Sequence, residues 1–160
     1  MPKPKVYIET TVISLLTARP ARDVVQTAWQ QLTREWWELR RQKFDLYISN
    51  QVVTEARCGD AEAARRRLEV LQGIPELEVN DEVVALAKRL AKGMALPPRK
   101  AADAVHIATA AIHGIEFLAT WNCTHLANPV LEAKARAICA DYGYHCPLIA
   151  TPHELMEIAP

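Results

Sequence analysis

The chain is predicted to fold as an α/β protein, with a parallel sheet covered by helices on both faces. Three observations carry this. Short β-prone apolar runs alternate with amphipathic segments over the whole length. Helix caps and glycine or proline stops fall between them. Half of the 160 residues are hydrophobic and 24% are charged, which is enough apolar chain for one core. No repeat, low-complexity tract or boundary divides it, so residues 1–160 are read as a single domain.

The elements follow in order. Val6-Tyr7-Ile8 reads as a strand, with Thr10 or Thr11 capping the helix after it. From Asp23 to about Arg41, Val24, Val25, Ala28, Trp29, Leu32, Trp36 and Leu39 recur at helical spacing. Phe44–Ile48 is a second strand, and Ser49 or Asn50 caps a short helix that stops at Cys58-Gly59. Asp60 caps a helix running to about Leu71. Leu77–Val79 is a weak third strand, followed by a helix from Asp81 to about Ala91. Pro97-Pro98 breaks the chain before a helix from about Arg99 to His113. Glu116–Thr120 is a fourth strand and Pro129 opens a helix ending near Gly143. Pro147-Leu148-Ile149 is a fifth strand, and Thr151-Pro152 starts a final helix.

Nineteen basic and nineteen acidic residues cancel, so no global field draws in nucleic acid; any such binding must come from a local patch. Cys58, Cys123, Cys139 and Cys146 form no Cys-x-x-Cys pair, which argues against a zinc site. The N-terminus has no apolar signal region and no window is long and apolar enough to span a membrane. A cytoplasmic protein with reduced thiols is expected.

Three acids, Glu9, Glu55 and Asp103, occupy separate strand-to-helix or loop-to-helix junctions, and Asn122 follows a fourth apolar run. If those runs are neighbouring parallel strands, the four side chains converge at one sheet edge. Clustered carboxylates repel and raise one another's pKa, so such a cluster makes sense around a divalent cation, and oxygen-held cations suit phosphate chemistry.

Each residue also has a plainer reading. Glu9 sits where ligands bind in open α/β sheets, yet an acid in a first helical turn gains roughly 0.3–1 kcal/mol from the macrodipole anyway. Asp103 heads an apolar stripe, with His106, Ile107 and Ala110 at i+3, i+4 and i+7; a salt bridge to Arg99 or Lys100 is its alternative. Glu55 lies near the C-terminal half of a short helix, where a carboxylate is disfavoured, although exposed helical glutamates are common. Asn122 could ligate through its amide oxygen or form an Asx turn. His106 and His125 are read as hydrogen-bonded residues outside any metal shell. Trp29, Trp36 and Trp37 offer either an interface or, for Trp29 and Trp36, core packing.

Val6-Tyr-Ile-Glu9-Thr-Thr-Val-Ile-Ser14, Ile48-Ser-Asn-Gln-Val-Val-Thr-Glu55-Ala, Lys100-Ala-Ala-Asp103-Ala-Val-His106-Ile-Ala108-Thr-Ala and Phe117-Leu-Ala-Thr120-Trp-Asn122, in this order, resemble the PIN-domain family, in particular its VapC-like toxin branch. The resemblance implies a five-stranded parallel sheet ordered about 3-2-1-4-5. It also implies an acidic pocket for Mg²⁺ or Mn²⁺ that hydrolyses phosphodiester bonds in RNA, a homodimer, and a small antitoxin covering the pocket. Carried over by position, Glu9, Glu55 and Asp103 match the core acids, Asn122 the region of a more variable fourth acid, and Thr120 a hydroxyl beside it. Thr10, Arg99, Lys100 and Thr120 are the substrate-binding candidates.

Two departures stand out. The family's first acid is usually Asp, and Glu9 is one methylene longer, which the strict octahedral geometry of magnesium must absorb. Asn122 removes one negative charge and weakens cation binding. Together they motivate two alternatives: a PIN-like protein-binding module that has lost catalysis, and a metal-dependent phosphoesterase acting on small molecules.

Overall fold

A computed structural model describes residues 2–158; Met1, Ala159 and Pro160, at the ends of the expected 1–160 domain, lie outside the described residues. Five strands, β1 (Lys5–Ile8), β2 (Asp45–Ser49), β3 (Glu76–Leu77), β4 (Phe117–Ala119) and β5 (Leu148–Ala150), form one sheet in the order β3-β2-β1-β4-β5. Every neighbouring pair is parallel, as the resemblance implies. Val6, Tyr7 and Ile8 are consecutive and all 0% exposed. Successive strand side chains face opposite ways, so both faces of the central strand are covered.

Among the described residues, eight α-helices connect and flank these strands: α1 (Thr10–Thr17), α2 (Val24–Leu39), α3 (Asn50–Ala56), α4 (Ala61–Leu71), α5 (Asp81–Gly93), α6 (Ala101–Ile112), α7 (Pro129–Asp141) and α8 (Pro152–Met156). Helix α1 packs on α2, α3 and α4, α2 packs on α8, and α5 packs on α6 and α7. Asp23, Asp60, Asn80 and Asn128 cap their helices with side-chain oxygens, and Thr151 with Glu154 closes a capping box. Gly59, at φ 85°, supplies the left-handed turn after α3.

Several expectations shift. The cap of α1 is Glu9, whose carboxylate accepts the Thr11 N–H at 3.2 Å, and not Thr10 or Thr11. Ser49 holds the cap position of α3, but its hydroxyl turns to Tyr7 at 2.7 Å. Strand β3 is only two residues long and begins earlier than expected, because β2 pairs Ile48 with Glu76 and Ser49 with Leu77. Helix α6 begins at Ala101, after a 3-10 turn over Pro98–Lys100.

The apolar face expected for α2 is only partly buried. Trp36 is fully enclosed, whereas Val24, Val25 and Leu39 are 83%, 54% and 67% exposed. Trp29 stacks on Trp121 at 4.9 Å between centroids, and Trp37 carries the Arg41 guanidinium 4.3 Å above its ring. Trp36 therefore follows the core-packing alternative, and Trp29 is occupied by its stack on Trp121.

Candidate metal centre

The carboxyl ends of β1, β2 and β4 lie side by side, and the side chains that follow them meet there. Glu9 leaves β1 directly and is 4% exposed. Its Oε1 accepts hydrogen bonds from the hydroxyls of Thr11 at 2.5 Å and Thr120 at 2.6 Å. Thr11 Oγ1 in turn accepts the Trp121 N–H at 2.9 Å, and Thr120 Oγ1 accepts the Asn122 N–H at 2.9 Å. The start of α1 and the end of β4 are therefore tied through one carboxylate.

Glu55 projects from α3 towards α1 and α6. Its Oε1 accepts from the Thr10 hydroxyl and from His106 Nε2, the latter at 2.9 Å, and its Oε2 accepts from Gln51 at 3.2 Å. Burial disfavours the charged form of Glu55, but the His106, Thr10 and Gln51 hydrogen bonds outweigh it and hold the carboxyl down at about 2. An ionised carboxylate only accepts, so His106 Nε2 carries the proton in this contact.

His106 is 0% exposed on the inner face of α6. Its Nδ1 lies 2.6 Å from the Tyr7 hydroxyl, which also reaches Ser49. Burial alone would lower the His106 pKa; the Glu55 hydrogen bond and the charges of Glu9, Glu55 and Asp103 raise it above the ordinary value. Burial pushes the Tyr7 phenol well above its usual range, so it stays protonated.

Asp103 stands in the first turn of α6, 8% exposed. Its Oδ2 lies 3.3 Å from His125 Nδ1 but is buried without a well-directed hydrogen bond. No ion pair with Arg99 or Lys100 forms among the described residues; both are exposed on the 3-10 turn. Asn122 follows the plainer reading. Its amide oxygen accepts the His125 N–H at 3.0 Å and its carbonyl closes the same turn, so the side chain serves the loop.

Glu9, Glu55 and His106 each bring a potential ligand atom within 4.8 Å of the others, a group that does not include Asp103. This departs from the expected trio of Glu9, Glu55 and Asp103, and brings in a residue kept outside it. Both His106 nitrogens are already engaged, which suits a residue that orients Glu55 better than a ligand. Sequence reasoning also passed over Tyr7 and Thr11. A signal for Tyr7 was present, because on a strand it shares a face with Glu9.

The oxygens that remain suit a hard cation. A carboxylate oxygen has two lone pairs. On Glu9 and Glu55, Oε1 accepts two bonds and Oε2 only one. Asp103 Oδ2 accepts none. Three partly open carboxylate oxygens fit Mg²⁺ or Mn²⁺ by donor type. A surface cleft of about 650 Å³ lies at the other end of the strands beside Lys3, Asp45 and Pro75, and Glu9, Glu55 and Asp103 do not line it.

The PIN domain family model matches residues 6–122, which span β1 through β4 and every residue of this cluster. Among solved structures, the fold is similar to that of a chain in the FitAB complex bound to an IR36 DNA fragment, with TM-score 0.54 and 20% identity over 92% of this chain and 95% of that one. A chain of VapBC2 from Rickettsia felis, bound to a DNA fragment from their promoter, is similar with TM-score 0.54 and 12% identity, covering 91% of this chain and 98% of that one. No curated protein matches the chain by sequence.

Proposed function

This chain belongs to the PIN domain family, and from that premise we propose that it is a metal-dependent endoribonuclease, the toxin of a toxin–antitoxin pair. The observation that supports the reading is the convergence of Glu9 and Glu55, each with one half-used carboxylate oxygen, at the carboxyl edge of the sheet, with the buried Oδ2 of Asp103 on α6 held only by a 3.3 Å contact to His125 Nδ1. A buried carboxylate oxygen without a well-directed hydrogen bond is costly, and a cation would relieve it.

Glu9, Glu55 and Asp103 would hold Mg²⁺ or Mn²⁺. A bound divalent ion polarises the scissile phosphate and offsets the charge that develops in the transition state. The chain's own residues do the positioning. Thr11 and Thr120 fix the Glu9 carboxylate, while Thr10, Gln51 and His106 fix that of Glu55. Arg99 and Lys100 stand exposed at the approach to Asp103 and would contact backbone phosphates. Asn122 would act only indirectly, through the turn that carries His125.

The FitAB and VapBC2 neighbours support a small antitoxin as partner. A homodimer and a cytoplasmic setting complete the reading; no helix among the described residues is long and apolar enough to cross a membrane.

The test is cleavage of varied RNAs by the purified chain with Mg²⁺ or Mn²⁺. Cleavage that stops with chelator, and with a folded Asp103→Asn variant, supports the nuclease. A chain inert towards every RNA with either ion favours the binding-module reading.

A further inference from the structure

We propose that a pocket between the end of α1 and the start of α4 is a phosphate-binding subsite for single-stranded RNA. It deepens the nuclease reading and rests on it for the substrate class. The pocket, about 430 Å³, is lined by Thr17, Arg19, Asp60, Glu62, Arg66 and Arg67 among others.

What sets it apart is how the arginines are held. Arg66 is half-buried and donates from Nε to the Thr17 carbonyl at 3.0 Å. Arg67, also half-buried, donates from Nε to the Ala56 carbonyl at 3.0 Å and from Nη2 to the Cys58 carbonyl at 2.5 Å. Carbonyls fix a guanidinium in place without cancelling its charge.

The two nearby acids are committed elsewhere. Asp60 Oδ2 accepts the Ala63 N–H and caps α4. Glu62 is taken by Arg65, which also reaches Glu69, and lies 3.9 Å from Arg66. Arg19 is exposed at the rim. Arg19 and Arg67 form no ion pair among the described residues and Arg66 has only the long Glu62 contact, so positive charge exceeds negative here and an anion would complete the pocket. Guanidinium forks match phosphate oxygens in geometry as well as charge.

The location fits the same substrate. Ala56, whose carbonyl holds Arg67, is the residue after Glu55. Helix α1 begins at Thr10, a partner of Glu55, and ends at Thr17 in the pocket, about 10 Å along its axis. A strand with one phosphate at the acid cluster can lay a neighbouring stretch of backbone here. A chain of zero net charge binds RNA only through such a patch.

The test is binding of a labelled short single-stranded RNA to the Asp103→Asn chain in chelator, at increasing salt. Arg19→Ala with Arg66→Gln is expected to weaken binding about tenfold and flatten the log affinity against log salt slope by about 1.4, two contacts at about 0.7 each. If Arg66→Gln unfolds the protein, Arg19→Ala alone should give about half that change in slope. An unchanged slope in folded variants overturns the subsite. So does arginine-dependent binding of polyglutamate with none of RNA, which would assign the pocket to an acidic protein. The assay needs neither metal nor cleavage, so an inactive wild type that still shows the slope change refutes the nuclease and leaves the subsite standing.

Discussion

His106 Nε2 donates to Glu55 Oε1 across 2.9 Å, while Nδ1 of the same ring lies 2.6 Å from the Tyr7 hydroxyl. One fully buried imidazole therefore links the central strand to the carboxylate of α3. His106→Ala would leave the Tyr7 hydroxyl short of a partner and free the Glu55 side chain. The expected cost is about 1–3 kcal/mol in urea unfolding, with cation affinity reduced about 10–100-fold. Unchanged Mn²⁺ affinity in the folded variant would remove His106 from the site.

Tyr7→Phe tests the other end of that chain. It removes the hydroxyl between Ser49 and His106 and leaves both buried groups underused. A loss of about 1–3 kcal/mol is expected from denaturant midpoints at constant m-value. A neutral substitution would show that the network is incidental.

Glu55 sets a pH signature for the metal-free protein. Its folded pKa, about 2, lies below the unfolded value of 4.5. A depressed carboxylate contributes stability that is fully present above the unfolded pKa and fades as pH falls towards the folded one. Thermal melts in chelator should therefore weaken as pH drops from about 4.5 towards 2, and Glu55→Gln should flatten that limb. A Glu55→Gln profile parallel to wild type would contradict the hydrogen-bond arrangement.

Glu9 departs from the family's usual Asp, and its surroundings match the longer side chain. The Thr11 and Thr120 hydroxyls sit 2.5 and 2.6 Å from its Oε1. Glu9→Asp is expected to lose cation affinity, by about tenfold, despite restoring the commoner residue. Isothermal titration with Mn²⁺ decides it; tighter binding would show that the cradle does not prefer Glu.

Thr120 separates hydroxyl from shape. Thr120→Val removes a donor to Glu9 and an acceptor of the Asn122 N–H, whereas Thr120→Ser keeps both. The valine variant should lose about 1–3 kcal/mol and most cation binding, with the serine variant near wild type. Equal behaviour of the two would mean that packing alone matters there.

Much of the fold was legible because strands and helices alternate and cap residues stand at their junctions. Strand β3 was misplaced because so short an edge element leaves almost no periodic signal. The burial of Asp103 could be read from the apolar stripe it heads. Glu55 could not be read alone: two of its partners, Thr10 and His106, lie 45 and 51 residues away in sequence. Glu9 hid as a cap because glutamate is not a favoured capping residue. The role of His106 was visible only in part. It shares the stripe of Asp103, but a buried histidine looks the same in sequence whether it orients a carboxylate or fills the core.

The most direct test is a Mn²⁺-soaked crystal structure measured at the manganese absorption edge. A single anomalous peak within ligand distance of Glu9, Glu55 and Asp103, with His106 still on Glu55, is the expected result. A peak that Asp103 does not touch, or none at saturating Mn²⁺, would contradict the shared-cation site.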